Sequence, residues 1–383
     1  MYNVIDLFAG VGGLTFGFEY EKENNAFIKR HDFSNKFAVD FNEDASLAFK
    51  LNYPTVPIFN LDIKTLTRKM INNKLDGAGV DIIVGGPPCQ SFSMIGKRIN
   101  DDRSKLYTEY KRILKIVKPR VFVFENVKGI LTMKDETKKN LILPGIIEDF
   151  EKVGYNVTYN TLNSASFGVP QLRERVFIVG VRNDIELQYN FPTPTVDQEN
   201  YLTLRNAISD LPELGNGEST DLYTIPPQSD YERLMRGTST ILTNHSNGKK
   251  TNLMLEIFDV LGEGESKVNI NEKVEQKLIP EHLKRTSGYG NTYGRLWWDR
   301  PGMTITNKIN CPSSLRCIHP TQNRALTPRE GARIQSFPDW FNFHGSMTEV
   351  MTQIGNAVPP LLSIAIADSI LNFLREVDKY DAE

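Results

Sequence analysis

Over the first 180 residues, short apolar runs alternate with stretches of helical spacing. Asn3–Phe8 reads as a buried strand, followed by a Gly-rich turn and a helix from about Leu14. Lys36–Val39 reads as a second strand, with a helix over about Ala45–Leu51. Val80–Val84 is a third apolar run and ends in Gly85-Gly86-Pro87-Pro88. Leu106–Val117 carries apolar positions at helical spacing and stops before Pro119. Val121–Phe124 and Val176–Val181 read as two more strands. This alternation predicts an α/β fold on a parallel, doubly wound sheet, whose ligands gather at the carboxyl ends of the strands.

Near Phe191 the periodicity fades. Phe191-Pro192-Thr193-Pro194 opens a region rich in glycine and proline, which predicts a smaller, loop-rich domain. Helical spacing returns at Thr327, a natural N-cap with Pro328 at the first helical position. A last helix is expected from about Pro360 to Leu374.

Composition changes this picture little. The chain has 383 residues, 40% hydrophobic and 24% charged, with a net charge of −2, ordinary for a globular protein. No run of about 18 apolar residues occurs, so no membrane span is expected. The N-terminus shows no charged-then-apolar leader, and the expected location is the cytoplasm. Three cysteines, Cys89, Cys311 and Cys317, fit neither a metal-ligand spacing nor a disulfide framework. Charge is uneven, however. Between Leu283 and Gln335 stand nine cations against two acids. Such a surplus can track a phosphate backbone or can be a solvated surface.

The chemistry-bearing residues cluster at the strand ends. Asp6 through Gly13 follow the first strand, and glycines there allow a tight turn and a close approach to a ligand. Asp40 ends the second strand, where a carboxylate can take ribose hydroxyls, and Phe41 beside it can stack on a purine. These fit an adenosyl cofactor or a dinucleotide equally. Pro87 and Pro88 present Cys89 rigidly after the third strand, an arrangement suited to covalent catalysis. No cysteine or histidine lies near it in sequence, so no metal is expected. Glu125 follows the fourth strand and faces the same cleft, or else caps a helix. In an extended segment Arg173 and Arg175 point to one face and Glu174 to the other.

Together these segments resemble the DNA cytosine-5 methyltransferases of bacterial restriction–modification systems. The resemblance rests on Asp6–Gly13, Gly86-Pro87-Pro88-Cys89-Gln90, Glu125-Asn126-Val127, Gln171-x-Arg173-x-Arg175, Arg324–Glu330, Ile334–Asp339 and Gln353–Pro359, in that order. It implies a Rossmann-like, S-adenosylmethionine-dependent catalytic domain over 1–190 and 322–383, and a target-recognition domain over 191–321. It implies a cytosine flipped out of duplex DNA, with Cys89 attacking carbon 6. Glu125 would sit at N3, and Arg173 and Arg175 near O2. S-adenosylmethionine would be held by Asp6, Phe8, Ala9, Gly10, Gly12, Gly13, Leu14, Asp40, Phe41, Asp62, Ile63, Pro88, Leu106, Asn356 and Ala357. Asn356 would return to the first Gly-rich loop. DNA would be met by Gln90, Ser93, Ile95, Lys97, Arg98 and Arg103 on a lid after the nucleophile, and by Arg295, Arg300 and Lys308 in the recognition domain. The implied partner is double-stranded DNA, methylated by a monomer, with a companion restriction endonuclease acting separately.

Three other readings compete. A transfer-RNA cytosine-5 methyltransferase tends to have a shorter recognition interval and a Cys-Phe-Thr signature absent from this chain. A catalytically silent DNA-binding homologue usually lacks the nucleophile or the acid. A dinucleotide oxidoreductase would need a fuller G-x-G-x-x-G pattern and would leave Pro88-Cys89 unexplained.

Overall fold

The computed structural model describes residues 1–87, 106–135 and 139–382. Seven strands form its central sheet: β1 (Tyr2–Leu7), β2 (Phe33–Asp40), β3 (Ile58–Asn60), β4 (Ile82–Gly85), β5 (Val121–Val127), β6 (Tyr155–Asn163) and β7 (Glu174–Arg182). They lie in the order β3-β2-β1-β4-β5-β7-β6. The pairs β1–β2, β2–β3, β1–β4 and β4–β5 are parallel. The sheet is not wholly parallel as expected, because β7 runs antiparallel to both β5 and β6. The cause is the short link 164–173 before it. A parallel return needs a crossover of a dozen residues or more, whereas an antiparallel return does not.

The inner strands are legible because both faces are buried. Val4, Ile5, Leu7, Ile82, Ile83, Val84 and Val121 through Phe124 are all fully enclosed, which gives apolar runs broken only by Asp6. The edge strands hide from such a reading. β3 is three residues long, and β6 exposes Asn156, Thr158, Tyr159 and Asn160 to solvent.

The chain's end closes on its beginning. The helix Pro360–Tyr380 packs on Phe16–Glu19, where a Cβ on Gly17 would lie 2.3 Å from the Ser363 carbonyl oxygen. The Gly17 amide donates to Ser363 Oγ at 2.9 Å. The segment Met347–Tyr380 is long and apolar enough by composition to cross a membrane, but 72% of its most apolar window is buried, as in a core element.

The region after Phe191 is less irregular than its composition suggests. Leu204–Ile208 and Asp230–Arg236 are helices that share an apolar cluster with Pro328–Ile334. The last of these starts on the expected cap, with Thr327 and Glu330 forming a reciprocal capping box. A separate small core gathers Ile257, Phe258, Leu261, Ile270, Leu283, Tyr293 and Ile318.

The basic stretch is only partly a surface. Arg295, Arg324, Arg329 and Arg333 are buried. Arg324 pairs with Glu330 at 2.7 Å, and Arg333 bridges Asp210 at 2.9 Å and Asp339 at 2.7 Å. A buried guanidinium is tolerated when carboxylates and carbonyls take its protons, and the acids that do so lie partly outside the stretch.

Candidate active site

Three consecutive strand ends build the first half of the site. After β1 the backbone turns at Phe8, whose φ of 61° is left-handed; such strain costs about 1–3 kcal/mol and clusters at functional turns. The Ala9 amide donates to the Val39 carbonyl at 3.0 Å, which lays the loop against β2. Gly12, at φ 87°, cannot carry a side chain, because a Cβ there would lie 2.3 Å from the Tyr53 ring. The Tyr53 hydroxyl in turn donates to the Gly12 carbonyl at 2.7 Å.

Asp40, at the end of β2, accepts from the Gly10 amide and from the Asn42 amide, each at 2.8 Å. Phe41 next to it is 70% exposed, an open ring at the strand end. The Leu61 amide donates to the Asp40 carbonyl at 3.0 Å, so the exit of β3 lies alongside. There Asp62 caps a short turn by accepting from the Lys64 amide, while Ile63 is buried. The segment after Asn356 does reach the Gly-rich loop: a Cβ on Gly13 would be 2.9 Å from the Ala357 side chain and 2.5 Å from the Val358 carbonyl oxygen. Asn356 itself is exposed. Ala9 and Leu14 are buried, and Leu106 opens the helix Leu106–Val117.

Beneath this loop lies Asp6. One carboxylate oxygen accepts from Thr15 Oγ1; the other is buried and has no hydrogen-bond partner among the described residues. Burial, with the Asp40 charge adding to it, pushes the Asp6 carboxyl up to about 7. Burial also raises Asp40, against the opposing pull of the Asn42, Gly10 and Phe41 amides.

β4 and β5 supply the second half. A Cβ on Gly85 would lie 2.3 Å from the Leu7 carbonyl oxygen, and one on Gly86 would lie 2.7 Å from Glu125 Oε2. Both glycines are therefore close-approach positions, and the second admits the Glu125 carboxyl alongside it. Glu125, its side chain 12% exposed, stands 3.1 Å from Arg175 Nε. Burial raises its affinity for a proton, while the charges of Arg175 and Arg173 lower it.

The expected alternation before β7 holds. Glu174 faces outward to Lys128 at 2.7 Å, whereas Arg173 and Arg175 turn inward. Arg173 lies deeper than its expected role near a cytosine oxygen. It donates to the carbonyls of Ile305 at 2.8 Å, Gly355 at 3.0 Å and Ala357 at 2.9 Å.

The expected DNA contacts separate clearly. Arg295 is 3% exposed and spends all five N–H groups on Leu261, His319, Gln322, Phe258 and Asn323. It has no donor left for a phosphate or base, so the reading of Arg295 as a DNA contact is corrected. Arg300 and Lys308 are exposed, the former with its guanidinium 4.8 Å from the centre of the Trp297 ring. Pro88, Cys89, Gln90, Ser93, Ile95, Lys97, Arg98 and Arg103, with the lid they were expected to form, lie outside the described residues.

Sequence reasoning passed over Gln335 and Tyr53 and gave Gln171 no task. Gln171 and Gln335 are buried and bonded to each other at 2.7 Å. Only their places in the Gln-x-Arg-x-Arg pattern and in the Ile334–Asp339 segment hinted at the pair.

A family model described as C-5 cytosine-specific DNA methylase matches residues 2–372. The type II methyltransferase M.DdeI of Desulfomicrobium norvegicum is 36% identical, covering 98% of this chain and 90% of its own. The type II methyltransferase M.NgoFVII of Neisseria gonorrhoeae is 37% identical, covering 96% and 86%. Among solved structures, a putative DNA modification methyltransferase encoded within an E. coli prophage superposes with a TM-score of 0.73 at 24% identity, over 98% of this chain and 100% of that one. That likeness concerns the fold.

Proposed function

The chain belongs to the C-5 cytosine-specific DNA methylase family, and from that membership we propose how its residues divide the work of methylating cytosine carbon 5 in DNA. The observation that carries the proposal is Glu125 beside Arg175, largely enclosed and close against Gly86, three residues before Cys89 in the sequence. Carbon 5 is a weak nucleophile. The Cys89 sulfur bonds to carbon 6, and the electron pair of the ring is pushed toward N3 and O2. Glu125, held toward its neutral form by burial, gives its proton to N3. Arg175 stabilises the charge developing near O2, and Arg173 acts from below by fixing the carbonyls around it. Carbon 5 is then a competent nucleophile. After transfer, a base, in our reading a water, removes the carbon-5 proton, the sulfur leaves as the thiolate, and N3 returns its proton to Glu125.

S-adenosylmethionine, when bound, supplies an electrophilic methyl group. The residues present fit it. Asp6 offers a buried acceptor without a partner among the described residues, and among those same residues no heavy atom beyond Gly10 and its chain neighbours lies within 4 Å of where a Cβ on Gly10 would be. The Phe8–Leu14 loop, Asp40, Phe41, Asp62, Ile63, Leu106, Asn356 and Ala357 would hold it, with Pro88 from the nucleophile turn.

The ring edge of a stacked base is blocked, so the target cytosine leaves the duplex. Residues 191–321 read the sequence around it, with Arg300 and Lys308 on phosphates, while 1–190 and 322–383 carry the chemistry. The enzyme acts as a monomer beside a separate restriction endonuclease, a reading supported by the type II designation of its relatives. A duplex with 5-fluorocytosine at the target tests the covalent step, because fluorine cannot leave as a proton does. We expect a complex that survives a denaturing gel; its absence with active enzyme would refute attack by Cys89.

A further inference from the structure

The segment Gly302–Lys308 threads between the link that precedes β7 and the end of the helix Met347–Asn356. The Gly302 amide donates to the Pro170 carbonyl at 2.8 Å, and its carbonyl accepts from the Leu172 amide at 2.9 Å. Ile305 is gripped at both its main-chain groups. Its N–H donates to Gln171 Oε1 at 2.7 Å, and its carbonyl accepts from Arg173 at 2.8 Å. Gln171 Nε2 then donates to Gln335 Oε1 at 2.7 Å, and Gln335 Nε2 donates to the Ile354 carbonyl at 2.8 Å. Each amide accepts on its oxygen and donates from its nitrogen. Flipping either would set N–H against N–H, so the relay has one direction.

Both routes from Ile305 end at the same place. The other arm of Arg173 holds the carbonyls of Gly355 and Ala357. The contact is also direct, since a Cβ on Gly355 would lie 2.3 Å from the Thr306 carbonyl carbon. On its far side this turn meets the Gly-rich loop at Gly13. Packed interiors transmit displacement rather than absorb it, so the recognition segment cannot shift without moving residues 354–357.

We propose that Gln171 and Gln335 are positioning residues that couple DNA binding along Gly302–Lys308 to methyl-donor binding beside Gly13 and Ala357. This rests on the reading above that places the two ligands there. Coupling between two sites is reciprocal. DNA that settles the recognition segment therefore tightens the cofactor, and the cofactor tightens DNA.

Calorimetry of S-adenosylhomocysteine binding, with and without a saturating duplex carrying the mapped methylation site, reads the coupling. The duplex should tighten binding to the unaltered enzyme about ten-fold. In the double variant Gln171→Met, Gln335→Met that gain should fall below about three-fold, with affinity in the absence of DNA changed by less than about three-fold. Replacing both partners leaves neither glutamine amide stranded. Should the double variant fail to fold, Gln171→Glu decides on the same readout; its ionised side chain still accepts from Ile305 but cannot donate to Gln335. Full retention of the ten-fold gain overturns the proposal. So does an equal loss of cofactor affinity with and without DNA, which marks a merely structural role. An unaltered enzyme whose cofactor affinity ignores the duplex overturns the coupling alone, whereas one that binds neither ligand overturns the reading beneath it.

Discussion

Replacing Glu125 with glutamine removes one proton and little else. The side chain keeps its length, and its amide oxygen can still accept from Arg175, which stands 3.1 Å away. Packing over Gly86 is likewise preserved. DNA and cofactor binding should therefore change by less than about three-fold, since no charged hydrogen-bond donor is stranded. The chemical step should suffer much more. A positioned general acid contributes about 10²–10⁴ in rate, equivalent to about 3–5 kcal/mol of transition-state stabilisation. Burial raises the Glu125 proton affinity above that of an ordinary carboxyl. The acid form is the active one, so the wild-type rate should fall as pH rises through that raised value. The Glu125→Gln rate should show no such fall over the same window. Rapid-quench transfer of a tritiated methyl group, with enzyme in excess over duplex, measures the step directly. An unchanged single-turnover rate, or a loss that only parallels weaker DNA binding, would reduce Glu125 to a strand-end cap.

Other expectations follow from the same geometry. Cys89→Ser should abolish transfer in the tritium assay while leaving cofactor affinity within about three-fold, because a hydroxyl is scarcely ionised near neutral pH; substantial turnover would exclude it as nucleophile. Asp40→Ala should weaken cofactor binding in calorimetry by about 1.5–3 kcal/mol, the worth of a charged hydrogen bond; unaltered affinity would remove it from the site. For Asp6, the folded carboxyl is raised to about 7 from 3.8, so its contribution to stability is fully present below about pH 4 and is lost as pH rises through 7. Urea unfolding should accordingly show a steeper decline between pH 5 and 8 for the wild type than for Asp6→Asn, and equal slopes would contradict the burial argument. Lys308→Ala should weaken all duplexes alike and lower the salt slope by about one, whereas Arg295→Ala should instead lower stability by about 3 kcal/mol by stranding buried acceptors. The opposite assignment in filter binding and thermal melts would return Arg295 to the DNA face.

The parts of the site that could be read from the sequence share one property: their chemistry is local to a strand end. Asp6 with its glycines, Asp40 with Phe41, and Glu125 each follow an apolar run long enough to announce a buried strand. The topology of parallel strands brings such ends together without further information. What could not be read depends on partners far along the chain. Arg333 is buried because Asp210, 123 residues away, meets it. The count of cations between Leu283 and Gln335 could not separate such a residue from Lys308, which lies open. β6 was missed for a related reason. As an edge strand it needs no apolar alternation, and its pairing with β7 supplies the order that its sequence does not advertise.

The same contrast bears on how recognition and chemistry are kept apart. Residues 302 and 305 are held through main-chain groups: the amide and carbonyl of Gly302 to Pro170 and Leu172, and those of Ile305 to Gln171 and Arg173, while the Ile305 side chain is buried and Thr304 Oγ1 donates to the Leu172 carbonyl. A different side chain at the exposed position 303 leaves those groups in place, provided that residue 302 remains glycine, where a Cβ would meet Ile334, Leu204 and the Pro170 carbonyl at 3.0–3.2 Å. The side chains of Met303 and Asn307 are exposed and take no part in that anchorage. Their side chains can therefore be replaced without loosening the Arg173 and Gln171 contacts that reach the catalytic half. A change of target at these positions should leave single-turnover chemistry on the new target intact, whereas a change at Gln171 cannot be confined to specificity.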